Sequence, residues 1–317
     1  MKNSINIYAY SLLALSLLSQ VSAKQRICAE DPFADPAHDL CNPLKYIPHR
    51  GVNVFATVLY SITAIGLTFQ HFRHRCMWML VLTIGAYAEA VGLGLRLYFR
   101  VHPQQLGAFI GMNTLVVLSP CLFLAADYVL LGRLVAYLDA AKHLKPLRPA
   151  LVSRVFVLSD VVTFLIQGIG AGMAAKGGST SAKAGAKLFL VGLALQLVSF
   201  ALFTCLWGLF GYRVKRNDPY LWRSHGWKVV YWVLGFTCIC YLIRSVLRTV
   251  ELGEGFGGYL STHEPYFLLL DTLPLWLGIT SLMIFWPGRY IRHGTVFRSV
   301  PASETGQAMP LVNIANK

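Results

Sequence analysis

Several sets of ionisable or amide side chains recur at helical spacing inside runs otherwise too apolar to accommodate them. Glu89 and Arg96 stand seven residues apart, as do Asp160 and Gln167, and Glu264 and Asp271, while Arg244, Arg248 and Glu251 follow an i, i+4, i+7 pattern. Seven residues is about two helical turns, so each set lies on one face of its helix. A charged group in a membrane helix costs roughly 2.5–3.5 kcal/mol on insertion scales, and such groups turn towards a protein interior or a wet cavity. The chemistry on offer is ionic recognition. Five carboxylates (Glu89, Asp160, Glu251, Glu264 and Asp271) outnumber three arginines (Arg96, Arg244 and Arg248), an imbalance that suits a cationic headgroup. Unlike charges 4 Å apart attract by about 4 kcal/mol at an effective dielectric of 20, so one unpaired carboxylate is enough to matter. The competing reading is structural, with ion pairs such as Glu89 with Arg244 fixing helix packing. On the functional reading, Asp271 receives the amine and Glu89 is a structural partner whose loss lowers stability.

Other chemistries lack their residues. The nine histidines (His38, His49, His71, His74, His102, His143, His225, His263 and His293) fall in loops or at the ends of apolar runs. A bis-histidine haem site or a zinc hydrolase needs imidazoles within the bundle. The last apolar run has no central lysine for a Schiff base, and the chain has no G-x-x-x-x-G-K-S/T loop for ATP. No metal, cofactor or catalytic residue is expected, and the protein is read as a non-enzyme.

The elements that position these residues are membrane spans. Of 317 residues, 56% are hydrophobic and 13% charged, about half the charge of a soluble domain. Apolar runs near 52–70, 77–98, 107–132, 152–174, 187–211, 229–250 and 265–286 each reach the roughly 20 residues that cross a bilayer. Run length excludes barrel strands, which alternate over only about ten residues. The fold class is therefore all-α, a polytopic bundle of seven transmembrane helices over 51–288.

The net charge of +14 would point to nucleic acid in a soluble chain, but here it sorts by loop. Arg73 and Arg75; Arg133, Lys142, Lys145 and Arg148; and Arg213, Lys215, Arg216 and Arg223 occupy the first, third and fifth loops. The tail, 289–317, adds Arg289, Arg292 and Arg298, while the sixth loop is acidic, with Glu251, Glu254 and Glu264. The positive-inside rule then puts the N-terminus outside and the C-terminus in the cytoplasm. With that direction, Arg96, Arg248, Glu251 and Glu264 fall near the outer surface. Glu89, Arg244, Asp271 and Gln167 lie deeper in the outer half, and Asp160 lies nearer the cytoplasm. Four helices thus line a polar cavity opening outward. Pro120 should kink the third helix. Asp127 reads as a snorkelling or paired interface residue near the cytoplasmic end.

Residues 1–23 have the form of a cleaved signal peptide, with Lys2, an apolar core and Val21-Ser22-Ala23; a retained signal anchor is the alternative. The external segment 24–50 holds Cys28 and Cys41, which an oxidising compartment would join as a disulfide. Cys121, Cys205, Cys238 and Cys240 lie in apolar runs as packing thiols. Gly177 to Ser181 reads as a flexible external loop.

From Tyr46 to Gly288 the chain resembles the fungal lipid-translocating exporter family, which includes aminocholesterol-resistance and sphingoid long-chain-base export proteins. The resemblance rests on Tyr46-Ile47-Pro48 with Asn53 and Phe55, then Glu89-x-x-Gly92-x-x-x-Arg96, then Pro120 with Ala125-Ala126-x-Tyr128 and Gly132-Arg133. Asp160 with Gln167-Gly168-x-Gly170 and Gly192-Leu193-x-x-Gln196 continue it. Its strongest part is Arg244-Ser245-x-x-Arg248-x-x-Glu251, followed by Glu264, Asp271, Pro274 and Pro287-Gly288. The chain departs from the family at Leu93, often tyrosine there, and at Asp127. The resemblance implies seven helices, a plasma-membrane or related location, and movement of, or resistance to, amphipathic lipids. The expected partners are membrane lipids, cationic sphingoid bases among them, with no nucleic acid. A seven-helix receptor or lipid-stress sensor is the alternative function with the same topology.

Overall fold

The computed structural model describes residues 33, 44, 46–144, 149–175, 179–223, 226–253 and 267–291. Seven of its helices are long and apolar enough to cross a membrane, and the described residues contain no strand. We number their α-helices α1 (Arg50–His74), α2 (Leu80–Val101), α3 (Leu106–Tyr137), α4 (Pro149–Ala175), α5 (Ser179–Asn217), α6 (Trp227–Gly253) and α7 (Leu273–Ile284), the last being the regular middle of the seventh span, Leu269–Tyr290. The chain is an integral membrane protein. The signal-like segment, Cys28, Cys41, Glu264 and the tail beyond Ile291 lie outside the described residues.

Apolar side chains divide between two surroundings. Leu151, Val155, Leu158, Val162, Leu165 and Ile169 form an exposed stripe along α4, which in a bilayer meets acyl chains. Facing inward, Phe123, Tyr128, Phe200, Phe203 and Tyr241 are buried. Tyr128 meets Phe203 edge-on at 4.6 Å, and Tyr241 lies 6.2 Å from Phe123 and 6.4 Å from Phe200. These contacts place an aromatic core where α3, α5 and α6 converge.

Successive helices pack in a ring that α7 closes against α1, with α3 also contacting α5 and α6 from within. Lipid tails are as apolar as leucine, so helix association in a bilayer depends on close packing of small residues. The α4–α5 contact shows this most clearly. A Cβ on Gly170 would lie 2.5 Å from the backbone N of Phe189, and one on Gly185 would lie 2.4 Å from the N of Ala174. The two backbones touch there, which accounts for Gly170 in the Gln167-Gly168-x-Gly170 motif.

Two expectations change. Ser179–Ser181 open α5 rather than a flexible loop. That helix has 39 residues, about 58 Å at 1.5 Å each, and exceeds the bilayer core. Lys183 and Lys187 near its start, and Arg213, Lys215 and Arg216 near its end, extend it into water at both surfaces. Asp127 is no interface residue: it is fully buried in α3 and accepts a 2.7 Å hydrogen bond from Thr237 of α6.

Candidate functional site

Two irregular helices frame the main polar cluster. Pro120 sits inside α3 and has no N–H, so the carbonyl four residues earlier, Val116, loses its helical donor. Arg244 of α6 supplies a replacement, donating Nη2–H to Val116 O at 3.5 Å, the outer limit of a hydrogen bond. α7 is preceded by a π-helical segment, Phe267–Thr272, with Pro274 at the start of the α-helix. The hydroxyl of Tyr60 from α1 donates to Thr272 O at 2.8 Å. The wide π turn carries Asp271, whose Oδ1 lies 2.9 Å from Arg244 Nε. The angle at that contact is too poor for a hydrogen bond, and both atoms lack one. It is an ion pair held by charge and burial, with the two side chains 8% and 7% exposed.

One turn further along α6, Arg248 Nη1 donates to Glu251 Oε2 at 2.9 Å. Exposure rises along this face, from 8% at Arg244 to 11% at Arg248 and 19% at Glu251. The cluster therefore approaches the surface at the α6 C-terminal end. Arg96 of α2 donates to the Tyr46 hydroxyl and Arg100 to Pro48 O, so residues 46–48 lie against the end of α2. Tyr46 also acts electrostatically on Arg248, so this segment lies near the α6 C-terminal end of the cluster, its mouth.

Glu89 is fully buried in α2 and accepts a short hydrogen bond from Ser119 of α3 through Oε2, while Oε1 has no donor. Among the described residues no cation lies within ion-pair distance of its carboxyl, although Arg244, Arg248 and Asp271 all act on it electrostatically. Glu89 is thus not the ionic partner of Arg244; Asp271 is.

Asp160 and Gln167 belong to a second cluster rather than to the same cavity wall. Asp160 accepts 2.9 Å from the Tyr128 hydroxyl. Gln167 Nε2 donates to Gln196 Oε1 at 2.8 Å, and Gln196 Nε2 donates to Cys121 Sγ at 3.2 Å. This network ties α4 and α5 to α3 directly above their backbone contact at Gly170. Cys121 feels both Asp160 and Arg244, so the two clusters border one another across α3. Ser119, Tyr60 and Val116 were missed by sequence reading. A serine or a tyrosine in an apolar run carries no signal of its own, although Pro120 does predict the freed carbonyl.

At the opposite end of the bundle a basic, aromatic surface is tied together by hydrogen bonds. Asp218 lies 2.8 Å from Lys142 and bonds to buried His143, fastening the loop Ala141–Leu144 to the end of α5. The Lys142 bond holds the Asp218 carboxyl below its usual range, with His143 contributing. Arg133 stacks over Trp78 at 4.9 Å.

The family model described as RTA1 like protein matches residues 82–294. The chain belongs to that family. Its matched region takes in both clusters except Tyr60 and the segment 46–48 that Arg96 and Arg100 hold. Among curated proteins, the chain is 26% identical over 269 residues to protein RTA1 of Saccharomyces cerevisiae, covering 77% of this chain and 84% of that one. It is 25% identical over 277 residues to the sphingoid long-chain base transporter RSB1 of the same yeast, covering 76% and 72%. Protoporphyrin uptake protein 1 of Saccharomyces cerevisiae is 30% identical over 201 residues, covering 63% of this chain and 65% of that protein. No solved structure matches.

Proposed function

We propose that this protein moves amphipathic lipids across a bilayer without an ATPase of its own, and that Glu89 receives the headgroup. The observation that carries the reading is the unmatched carboxyl. Arg244 and Arg248 have carboxylate partners, whereas buried Glu89 has no cation at ion-pair distance among the described residues. A headgroup amine would supply that cation, which favours sphingoid long-chain bases over anionic amphiphiles. One relative is named for sphingoid long-chain base transport, which supports a lipid of that charge. Arg96, Arg248 and Glu251 form the approach to the site. Asp271 keeps Arg244 paired and in place. Asp160 and Gln167 hold α4 and α5. The π turn and Pro274 on α7, and Pro120 on α3, are the points at which these helices bend to admit a headgroup.

The distribution of basic loops supports an orientation with the N-terminus outside, in which the α6 C-terminal end of the cluster faces outward, and the plasma membrane is the membrane we favour. The test is purified full-length protein in liposomes with a fluorescent sphingoid base. The reading expects transbilayer movement with no partner and no ATP. Binding with no movement would favour a receptor or lipid-stress sensor instead.

A further inference from the structure

Charge matching around Glu89 carries a consequence for how transport is driven. The groups acting on it come from every neighbouring helix: Tyr60 of α1, Ser119 of α3, Arg244 and Arg248 of α6, and Asp271 of α7. Arg244 pairs with Asp271 and Arg248 with Glu251, so these four charges cancel. Arg96 stands two turns further along α2, about 10 Å away, and bonds to Tyr46. Ionised Glu89 would be a net buried charge, and unpaired buried charges are expensive. Two species can neutralise it, a proton or a cationic headgroup.

We propose that Glu89 binds the two in exchange, so that a cationic amphiphile entering the site displaces one proton and lipid movement is coupled to proton movement in the opposite direction. This rests on the reading of Glu89 as the headgroup acceptor. In the empty site the carboxyl keeps its O–H bond. As the cation arrives, that bond breaks, the proton leaves to water by the mouth at Arg248 and Glu251, and the carboxylate pairs with the cation. On release the carboxylate takes a proton from the opposite side. Nothing is oxidised, and the net charge of the site is the same with either occupant. The Ser119 bond suits both forms, since its hydroxyl donates to a carboxyl oxygen in each.

The experiment uses the full chain in detergent micelles in weakly buffered solution, with a long-chain alkyl trimethylammonium as probe. Its fixed charge cannot titrate, so any proton released comes from the protein. A pH-indicating dye should record about one proton released per probe bound. Affinity should rise about tenfold per pH unit over the range in which the free site holds its proton, as linkage requires. A long-chain alcohol should release none. Glu89→Gln keeps the Ser119 bond, and bound probe should then release no proton.

Probe binding by the wild-type protein with no proton release overturns the exchange; if Glu89→Gln also weakens that binding, the headgroup reading stands without it. Proton release that persists in Glu89→Gln assigns the proton to another acid and overturns the proposal. Binding of the alcohol but not the cation overturns both the exchange and the headgroup reading. The wild-type proton count needs no variant, so a Glu89→Gln protein that failed to fold would not rescue the proposal.

Discussion

Replacing Asp271 by asparagine keeps the side chain's shape and removes its charge. In the wild-type protein the Arg244 guanidinium lies 2.9 Å from Asp271, and both side chains are more than nine-tenths buried. Breaking such a pair on one side strands a charge in the interior, at about 3–5 kcal/mol. Glu89, in the same cluster, can give up its proton and so offset part of the stranded charge, which puts the expected loss near the lower end, about 3 kcal/mol. That is roughly a hundredfold shift in a folding equilibrium. The assay is thermal unfolding of detergent-purified protein, with membrane abundance as a second readout. Asp271→Asn should melt well below wild type, whereas Glu89→Gln, which breaks no ion pair, should melt close to it. The double variant Asp271→Asn/Arg244→Gln removes both charges and should recover much of the loss, as a double-mutant cycle would register. A fully stable Asp271→Asn protein, or a double variant no better than the single, would refute the pairing as the source of stability.

Three further outcomes are expected. Gly185→Val should force α4 and α5 apart, since even a Cβ there would sit 2.4 Å from the Ala174 N, and overpacking of this kind costs about 1–3 kcal/mol; unfolding midpoints compared with Gly168→Val, where a Cβ meets nothing within 4 Å, would check it. Epitope tags placed after Ala23 should be reachable on intact cells and tags after Lys317 should not, and both being reachable would contradict the orientation. Because the folded Asp218 carboxyl titrates below its ordinary value of about 3.9, its stabilising contribution is present above that value and fades as pH falls through the folded value. Cleavage near Lys142 in limited proteolysis should therefore increase in strong acid, and Asp218→Asn should show the increase already at neutral pH.

The seven spans and the face-sharing sets were legible because both depend on spacing along one helix. Apolar runs of membrane length and separations of two turns survive any tertiary arrangement. Partnership does not, because it depends on rotation and depth between helices. Arg244 had Glu89, Glu251 and Asp271 in plausible reach, and no pattern within α6 distinguishes them. The structure decides it through the π turn at Phe267–Thr272, which sets where Asp271 points. The single outward cavity failed for a similar reason. Asp160 and Gln167 share a face of α4, but that face meets α3 and α5, so they join Tyr128, Gln196 and Cys121 instead of the arginines. Asp127 was misplaced by its distance from the end of an apolar run, because α3 continues to Tyr137 and carries it into the interior.

An excess of acids over bases says little until each base has been assigned. Once Arg244 is given to Asp271 and Arg248 to Glu251, the surplus lies at particular depths: Glu89 in one cluster, Asp160 in the other, and Asp127 beside Thr237. Of these, Asp160 and Asp127 each accept from a neutral hydroxyl beside the aromatic core. Glu89 adjoins a face along which exposure rises towards the surface, next to two helices whose hydrogen-bond ladders are already interrupted. An interrupted helix is a poor choice for a bundle selected only for rigidity. Placed beside an unmatched carboxyl, the two breaks supply what a headgroup acceptor requires, a charge to meet and a wall that can bend.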